Sequence, residues 1–574
     1  MARIRKMEIR NFRSIQSLDW FPSSGMNCLV GPGDSGKSTV LDAIDLCLGA
    51  RRSAAFGDTD FYNLDVTAPI SITLTLGDLS DALKNIGDYG DYLRGFHPTT
   101  GKIEDEPGNG LETVLTLRLT VDSDLEPVWQ LVSERAEQAG LKPRSIAWKD
   151  RIDTAPTRLG SYAANNLAWS RTSVLNRLAD EPTSLGPELA QAARQARSAF
   201  GSKADAPLAQ TIALVNKTAN DLGVPVGDSA QALLDSHSVS ITDGAIALHD
   251  ANGVPLRSLG TGSSRLLVAG LQRAAAQAAP IVLVDELEFG LEPHRLTRLL
   301  HALGTKESTP SLQAFVTTHS PVAVRELTAS QLFVVRKDPS SHYIQPASTA
   351  NDIQATIRSD PETLLARKVI VCEGASEVGF LRGLDIYWTS KGHSSLLSAG
   401  VSYANAGGGS PEKCFERGKA LRQLGYGAAV FLDGDLPIDP QALAAFTAMG
   451  GTCCAWASGD ALEDALFKHL DDGGVDALIQ KAIEFAGETL VDDHIKSFTS
   501  GQSTLHAIQA QVLGNGYSPA IRALLGQVAR KRGWFKSVTK YEAVAHDIVA
   551  PRFAKASDDF RNIVKPLLKW CFNG

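Results

Sequence analysis

Apolar and polar residues alternate at period two in ISITLTL (70–76) and through most of LETVLTLRLTV (111–121), the period of a half-buried β-strand. Two further strands are predicted near the start, in KMEIRNFRSI (6–15) and MNCLV (26–30). The second runs into a glycine-rich loop and then a helix. From about 171 to 222, Ala, Leu, Gln and Arg recur at helical spacing, which predicts a pair of helices inserted into the first domain. VSITDGAIALHD (239–250) predicts a return to strand, and helices and strands then alternate to about 346. Proline and serine thin the pattern in DPSSHYIQPAS, placing a boundary near 345–360.

Beyond that boundary the alternation resumes. RKVIVCEG is a strand followed by a helix from about Glu377; VSYANA, a helix near 412–424, AAVFLDGD and TCCAWASGD follow. Strands separated by helices predict a parallel sheet covered on both faces, so the fold class is α/β. Ligands of such sheets bind at the carboxyl ends of the strands, where Glu373, Asp433 and Asp435 fall. Residues 470–574 read as mostly helical.

At 574 residues the chain exceeds one ordinary core and is expected to form two to four domains. Its 43% hydrophobic and 21% charged content is that of a globular chain. A net charge of −8 gives no overall pull towards nucleic acid, so any phosphate binding depends on local basic patches. Seven cysteines, with no CxxC pair, argue against zinc and against a disulfide framework, and fit an intracellular setting. The N-terminus lacks an apolar signal core, and no run approaches the roughly 20 apolar residues that cross a bilayer. A cytoplasmic location without membrane contact is expected.

GPGDSGKS (31–38) satisfies the P-loop pattern between a strand and a helix. Backbone N–H groups around Gly31, Gly33, Asp34, Ser35 and Gly36, and on to Thr39, would curl about phosphate oxygens at a helix N-terminus. Lys37 would reach the β/γ-phosphates and Ser38 would ligate Mg²⁺. IVLVDELEFGLEPH (281–294) reads as a Walker B strand: Asp285 would hold Mg²⁺ and Glu286 would polarise the attacking water. His319 follows the strand of AFVTTHSP, and SLGTGSSRLL (258–267) lies upstream of Walker B.

This order, with the opening IRNFRSI, resembles the ABC-type ATPase heads of the RecF, SMC and OLD (overcoming lysogenisation defect) proteins. The resemblance implies that His319 is a switch histidine near the γ-phosphate. Against the signature LSGGQ this chain reads LGTGS, with Gly260 in place of the serine. Thr261, Ser263 or backbone N–H groups would then have to make the contact to nucleotide on a second subunit, and slow ATP turnover is expected.

In VIVCEGASE (369–377), Glu373 ends a strand and Glu377 stands one helical turn on, sharing its face. Asp433 and Asp435 in FLDGD project to the same side of extended chain. Carboxylates gathered at one sheet edge suit Mg²⁺ or Mn²⁺, and two such ions can activate water and stabilise a leaving oxygen in phosphodiester cleavage. This Glu…Asp-x-Asp order resembles the Toprim domain of topoisomerases, primases and some nucleases. An ABC ATPase followed by a Toprim domain resembles the OLD-family nucleases over nearly the whole chain; the larger members include the nuclease subunit of the Gabija anti-phage system.

The resemblance implies an ATPase at 1–165 and 236–350, a helical insertion that dimerises at 166–235, and a Rossmann-like Toprim domain with helical additions at 351–574. It implies an ATP-binding, metal-dependent DNA endonuclease, a homodimer or homotetramer, acting in anti-phage defence or DNA processing, with a possible UvrD-like helicase partner. Glu463 in SGDALEDALF is the candidate ligand for a second metal, with Asp460 and Asp464 as rivals. Lys536 in RKRGWFKSVTKYE is the candidate transition-state cation, with Lys540 in reserve; Arg530, Lys531 and Arg532 are candidates to hold the DNA backbone. The alternative is an SMC/RecF-like ATP-gated DNA-binding protein without nuclease activity. A topoisomerase, with Tyr541 as nucleophile, is a third and more remote reading.

Overall fold

The structure is a computed structural model that describes residues 2–160, 163–168, 173–178, 186–222, 227, 246–275, 280–338, 341–347 and 351–572. Three sheets organise it, and strand alternation decides which core each face joins.

The first sheet is antiparallel. Its strands run in the order Ile15–Trp20, Arg3–Phe12, Ile70–Gly77, Glu112–Val121, Leu93–Phe96 and Ile103–Glu104, with Pro127–Leu131 also paired to Glu112–Val121. The two alternating segments lie side by side, with Ile72 opposite Leu119 and Leu74 opposite Leu117. Their apolar face packs on Val40, Leu41, Ile44 and Leu48 of the helix Lys37–Leu48. The same core holds Leu29, Leu283 and Phe315 from the second sheet, so the P-loop helix lies between two sheets. Arg151 closes its far end, donating to the carbonyls of Gly49 and Cys47, where the helix dipole is negative.

The second sheet orders His342–Pro346, Leu332–Lys337, Met26–Val30, Gln313–Thr317, Ile281–Val284 and Thr157–Arg158; only His342–Pro346 runs antiparallel to its neighbour. The third, of four parallel strands, orders Val401–Asn405, Lys368–Cys372, Gly427–Leu432 and Thr452–Ala455. Val30, Val284 and Val316 of the second sheet share one core with Val369, Val371, Val430 and Leu432 of the third. The opposite face of the third sheet, Ile370, Cys372, Ala429 and Phe431, joins a core closed by helices from Leu462–His469 onward. Burying each such side chain contributes roughly 1.5–3 kcal/mol, which favours this register over one shifted by a residue.

A single helix, Gly186–Leu222, spans 37 residues of the expected insertion, with Phe200, Leu208, Leu214 and Val215 exposed along it. Of a second helix in the expected pair only the short Val174–Arg177 is described, and most of 239–250, where a strand is expected, lies outside the described residues. Within that segment Ala247 bridges Ala168 and His249 bridges Pro255. All seven cysteines are free thiols. Among the described residues no helix is long and apolar enough to cross a membrane.

Candidate functional site

The P-loop leaves the strand Met26–Val30 at Gly31, whose φ of +145° brings its Cα so close to the neighbouring strand that a Cβ would lie 2.6 Å from the Val335 carbonyl. Asp34 (φ 59°) and Gly36 (φ 88°) are left-handed, turning successive backbone N–H groups into one concavity. Ser14, residues 33–39 and His319 line a cavity of about 440 Å³ there. Lys37 is buried, and its ammonium donates to the carbonyls of Gly31 (3.1 Å) and Pro32 (2.8 Å); burial lowers its pKa. Ser14 and Thr39 hydroxyls meet at 3.3 Å.

The Walker B strand ends opposite. Asp285 Oδ1 accepts from Ser38 Oγ at 3.0 Å and from Thr317 Oγ1 at 2.6 Å. Glu286 is exposed and left-handed (φ 47°), its N–H held by Thr317 Oγ1 at 2.8 Å.

Four residues not singled out from the sequence for this site complete it. Thr317 ties the two strand ends together. Glu288 accepts from Thr318 Oγ1 (2.6 Å) and the His319 N–H (2.8 Å), fixing the loop that carries the exposed histidine. Arg158 reaches Asp42 at 2.7 Å and stands 3.8 Å from Asp285. Arg265, fully buried in the signature helix Thr261–Ala274, donates to the carbonyls of Phe289 (2.6 Å), Asp285 (3.2 Å) and Glu286 (3.1 Å). The available signal was a charged residue, Arg265, set directly before the apolar run LLVAGL. Of the candidates to replace the signature serine, Ser263 Oγ is engaged by Arg295 at 3.2 Å, whereas Thr261 is exposed at the helix N-terminus.

A family profile described as "AAA domain, putative AbiEii toxin, Type IV TA system" matches residues 26–325, more than half of the chain. The chain belongs to this family. Its matched part is an ATPase domain, which implies ATP with Mg²⁺ as its ligand.

Two curated relatives of the AAA-domain chain match over short segments. An OLD nuclease of Thermus scotoductus is 37% identical over 75 residues, 12% of this chain and 14% of its own. A DNA replication and repair protein RecF of Chlorobium luteolum is 36% identical over 66 residues, 10% of this chain and 18% of its own. The chain thus spans less than a fifth of either relative in these matches. Among solved structures, an SMC head bound to the C-winged helix domain of ScpA aligns over 60% of this chain and 96% of its own, at 16% identity and a TM-score of 0.33. The SMC head domain from Thermotoga maritima aligns over 60% and 99%, at 16% identity and a TM-score of 0.29.

The second site lies on the four-stranded sheet. Lys368–Cys372 and Gly427–Leu432 are adjacent and parallel, so Glu373 and Asp433 leave the same edge side by side. Carboxylate oxygens of Glu373, Asp433 and Asp435 lie within 4.8 Å of one another. The Asp433 N–H donates to Glu373 Oε2 at 3.2 Å, and Asp433 Oδ1 accepts the Leu462 N–H at 2.9 Å.

The glycine between the aspartates is required by packing: a Cβ on Gly434 would lie 2.1 Å from the Ala457 carbonyl. Gly434 N–H donates to Asp460 O and Gly459 N–H to Gly434 O, zipping the loop of FLDGD to the loop of ASGD. That contact delivers the helix Leu462–His469, with buried Glu463, to the cluster.

Glu377 and Glu463 stand behind the three converging carboxylates and are outside the 4.8 Å group. Glu377 Oε2 accepts the Gly374 N–H at 2.7 Å. Of Glu463's rivals, Asp460 pairs with Lys468 at 2.8 Å and Asp464 faces Arg530. Burial first, then the neighbouring carboxylates Glu377, Glu463, Glu373 and Asp435, holds the Asp433 pKa well above the usual range. Glu377, Glu463 and Glu373 are likewise raised, chiefly by burial. Among the described residues no cation forms an ion pair with Glu373, Asp433, Glu377 or Glu463. Oxygen donors with unbalanced negative charge fit a hard divalent cation, Mg²⁺ or Mn²⁺.

Lys536 is exposed, with no carboxylate at ion-pair distance among the described residues. Lys540 donates to Trp534 O and covers the Phe485 ring. The cation that reaches the cluster is Arg530, 3.7 Å from Asp435. Arg532 is bonded to Ser497 and Lys531 lies over Phe498.

Tyr541 is fully buried beside Glu463, and burial first, then that carboxylate, holds the pKa of its phenol well above the usual range. It is brought there by glycine contacts: Cβ atoms on Gly379 and Gly383 would lie 2.4 and 2.3 Å from the carbonyls of Val538 and Glu542. A phenol so enclosed offers no nucleophile to DNA, which removes the main support for a topoisomerase.

Proposed function

We propose that this chain is an ATP-binding, divalent-metal-dependent DNA endonuclease whose Toprim-like centre, in 351–574, is regulated by the ATPase formed by 1–165 and 236–350. The observation that carries it is the convergence of Glu373, Asp433 and Asp435 at one sheet edge, with no cation in an ion pair with Glu373 or Asp433 among the described residues. The OLD nuclease relative supports the same reading. Glu373 and Asp433 would hold the first cation; Asp435 would share a second with Glu463, and Glu377 would support either. Bound there, such cations polarise water and screen the leaving oxygen of a phosphodiester. Hydrolysis joins the water oxygen to phosphorus, breaks one ester P–O bond and leaves the proton on the departing oxygen. Lys536 is retained as a phosphate contact, and Glu286 and His319 as the ATP-side groups.

The protein would work in the cytoplasm in anti-phage defence or DNA processing. The helix Gly186–Leu222 would form homodimers or tetramers; a Gabija-like context would add a UvrD-like helicase. The RecF relative favours a second reading, ATP-gated DNA binding without cleavage.

Supercoiled plasmid incubated with Mg²⁺ or Mn²⁺, with and without ATP, separates them. Nicking or linearisation by the native protein, lost in Asp433→Ala with ATP binding intact, supports the nuclease. Equal cleavage by that variant removes the site.

A further inference from the structure

Arg530 stands in the last turn of the helix Pro519–Arg532, which lies so close on Leu462–His469 that a Cβ on Gly526 would be 2.9 Å from Asp464 Cα. Its Nη1 stands 3.3 Å from Asp464 Oδ2 and 3.7 Å from Asp435 Oδ2. Both are loose ion pairs formed by one nitrogen, and neither is a hydrogen bond. A guanidinium carries five donors in a planar fork suited to two phosphate oxygens, so most of this fork is unspent. It is also accessible, with its side chain 32% exposed at the rim of the carboxylate cluster.

We propose that Arg530 is a catalytic residue that grips the phosphate of the DNA strand being cut and, until DNA arrives, serves as the counter-ion of Asp435. The role rests on the metal-dependent nuclease reading. A cation entering on the Asp435 side competes with the guanidinium for that carboxylate. A phosphate gives the fork a better partner and frees Asp435, so DNA and the second cation reinforce one another's binding. Arg530 thereby reports occupancy of the strand to the centre that cleaves it.

Three measurements on native protein, Arg530→Gln and Arg530→Lys test this. Mn²⁺ titrated calorimetrically without DNA binds several-fold tighter to Arg530→Gln, because the competing charge is gone. Anisotropy of a labelled duplex in EDTA shows weaker binding by that variant, with a salt slope smaller by about one ion. Plasmid cleavage falls on the order of 100-fold. Arg530→Lys recovers the salt slope while cleaving more slowly than native protein, since the fork is lost. Native cleavage that depends on Asp433, with Mn²⁺ affinity, salt slope and rate all unchanged in Arg530→Gln, overturns the role of Arg530 alone. Failure of the native protein to take up Mn²⁺ overturns the underlying reading as well.

Discussion

Ser38 and Asp285, 247 residues apart in sequence, meet through a 3.0 Å hydrogen bond from the serine hydroxyl to Oδ1. The first turn of the P-loop helix and the end of the Walker B strand therefore present two hard oxygen ligands side by side, where Mg²⁺ of a nucleotide belongs. Asp285→Asn keeps the size and removes the charge. Its ATP affinity is expected to lose the gain conferred by Mg²⁺, measured by titrating a fluorescent ATP analogue with and without the cation. Lys37→Ala is expected to weaken binding about 10- to 100-fold with or without Mg²⁺, the range for losing charge-assisted hydrogen bonds. A Mg²⁺ response left intact in Asp285→Asn contradicts this assignment.

The carboxylate centre predicts an inverted pH dependence of stability. Glu373, Glu377, Asp433 and Glu463 all have pKa values raised by burial and mutual repulsion. Above the usual carboxylate range the unfolded chain has released protons that the folded site still holds. Folding stability then falls as pH rises towards the raised values, by on the order of 1 kcal/mol per pH unit for each such proton. Urea midpoints measured in EDTA should decline over that window. Mn²⁺ should flatten the decline by replacing the protons, and Asp433→Asn should reduce it in EDTA. A flat profile for the native protein in EDTA would count against the charge imbalance at the site.

Gly434 predicts a defect of position. Gly434→Ala leaves every carboxylate in place, yet its methyl group would meet the Ala457 carbonyl at 2.1 Å. Overpacking of this kind typically costs about 1–3 kcal/mol. The loops of FLDGD and ASGD should part, weakening Mn²⁺ binding by at least several-fold and lowering the urea midpoint. Native affinity in this variant would show that the glycine has no part in holding the two loops together.

Wherever chemistry sits at the end of a periodic segment, the sequence was readable. Alternation located Ile70–Gly77 and Glu112–Val121, and apolar runs ending in acids located Asp285, Glu373 and Asp433 at strand ends. Adjacent parallel strands then force Glu373 and Asp433 together, which no local pattern encodes but topology requires. Contacts between distant loops were not legible. Nothing in RKRGWFK distinguishes Arg530, which meets Asp435 from the last turn of the helix packed on Leu462–His469, from Lys536, which follows the Gly533 cap of that helix and stays exposed. Likewise the spacing of Gly379 and Gly383 in VGFLRG carries no label for the carbonyls of Val538 and Glu542 that it admits. Composition marks 171–222 as a pair of helices, whereas Gly186–Leu222 runs as one continuous helix.

Arg265 links the helix Thr261–Ala274 to the loop of Asp285 and Glu286, the proposed hydrolytic loop, and its removal should separate ATP binding from ATP turnover. Its guanidinium is fully buried, and burial outweighs the pull of Glu288, Asp285 and Glu286 to lower its pKa. What holds it is the set of carbonyls of Phe289, Asp285 and Glu286, the last belonging to a residue in a left-handed conformation. That conformation is unfavourable for a side chain longer than Asn or Asp, so the loop depends on such donors to keep it. Arg265→Met fills similar volume and donates nothing. Each carbonyl left dry would cost about 1–3 kcal/mol, and the loop is expected to relax so that Glu286 leaves its place beside the nucleotide. The hydrogen bonds of Arg265 go to the carbonyls of Phe289, Leu159, Asp285 and Glu286 and to no P-loop residue, so the loop of Gly31 to Ser38 should keep its shape. Phosphate release should therefore fall at least tenfold while affinity for the ATP analogue stays within a few-fold of native. A parallel loss of both would mean that the substitution unfolds the domain or that the arginine acts on binding; unchanged turnover would show that the loop keeps its shape without it.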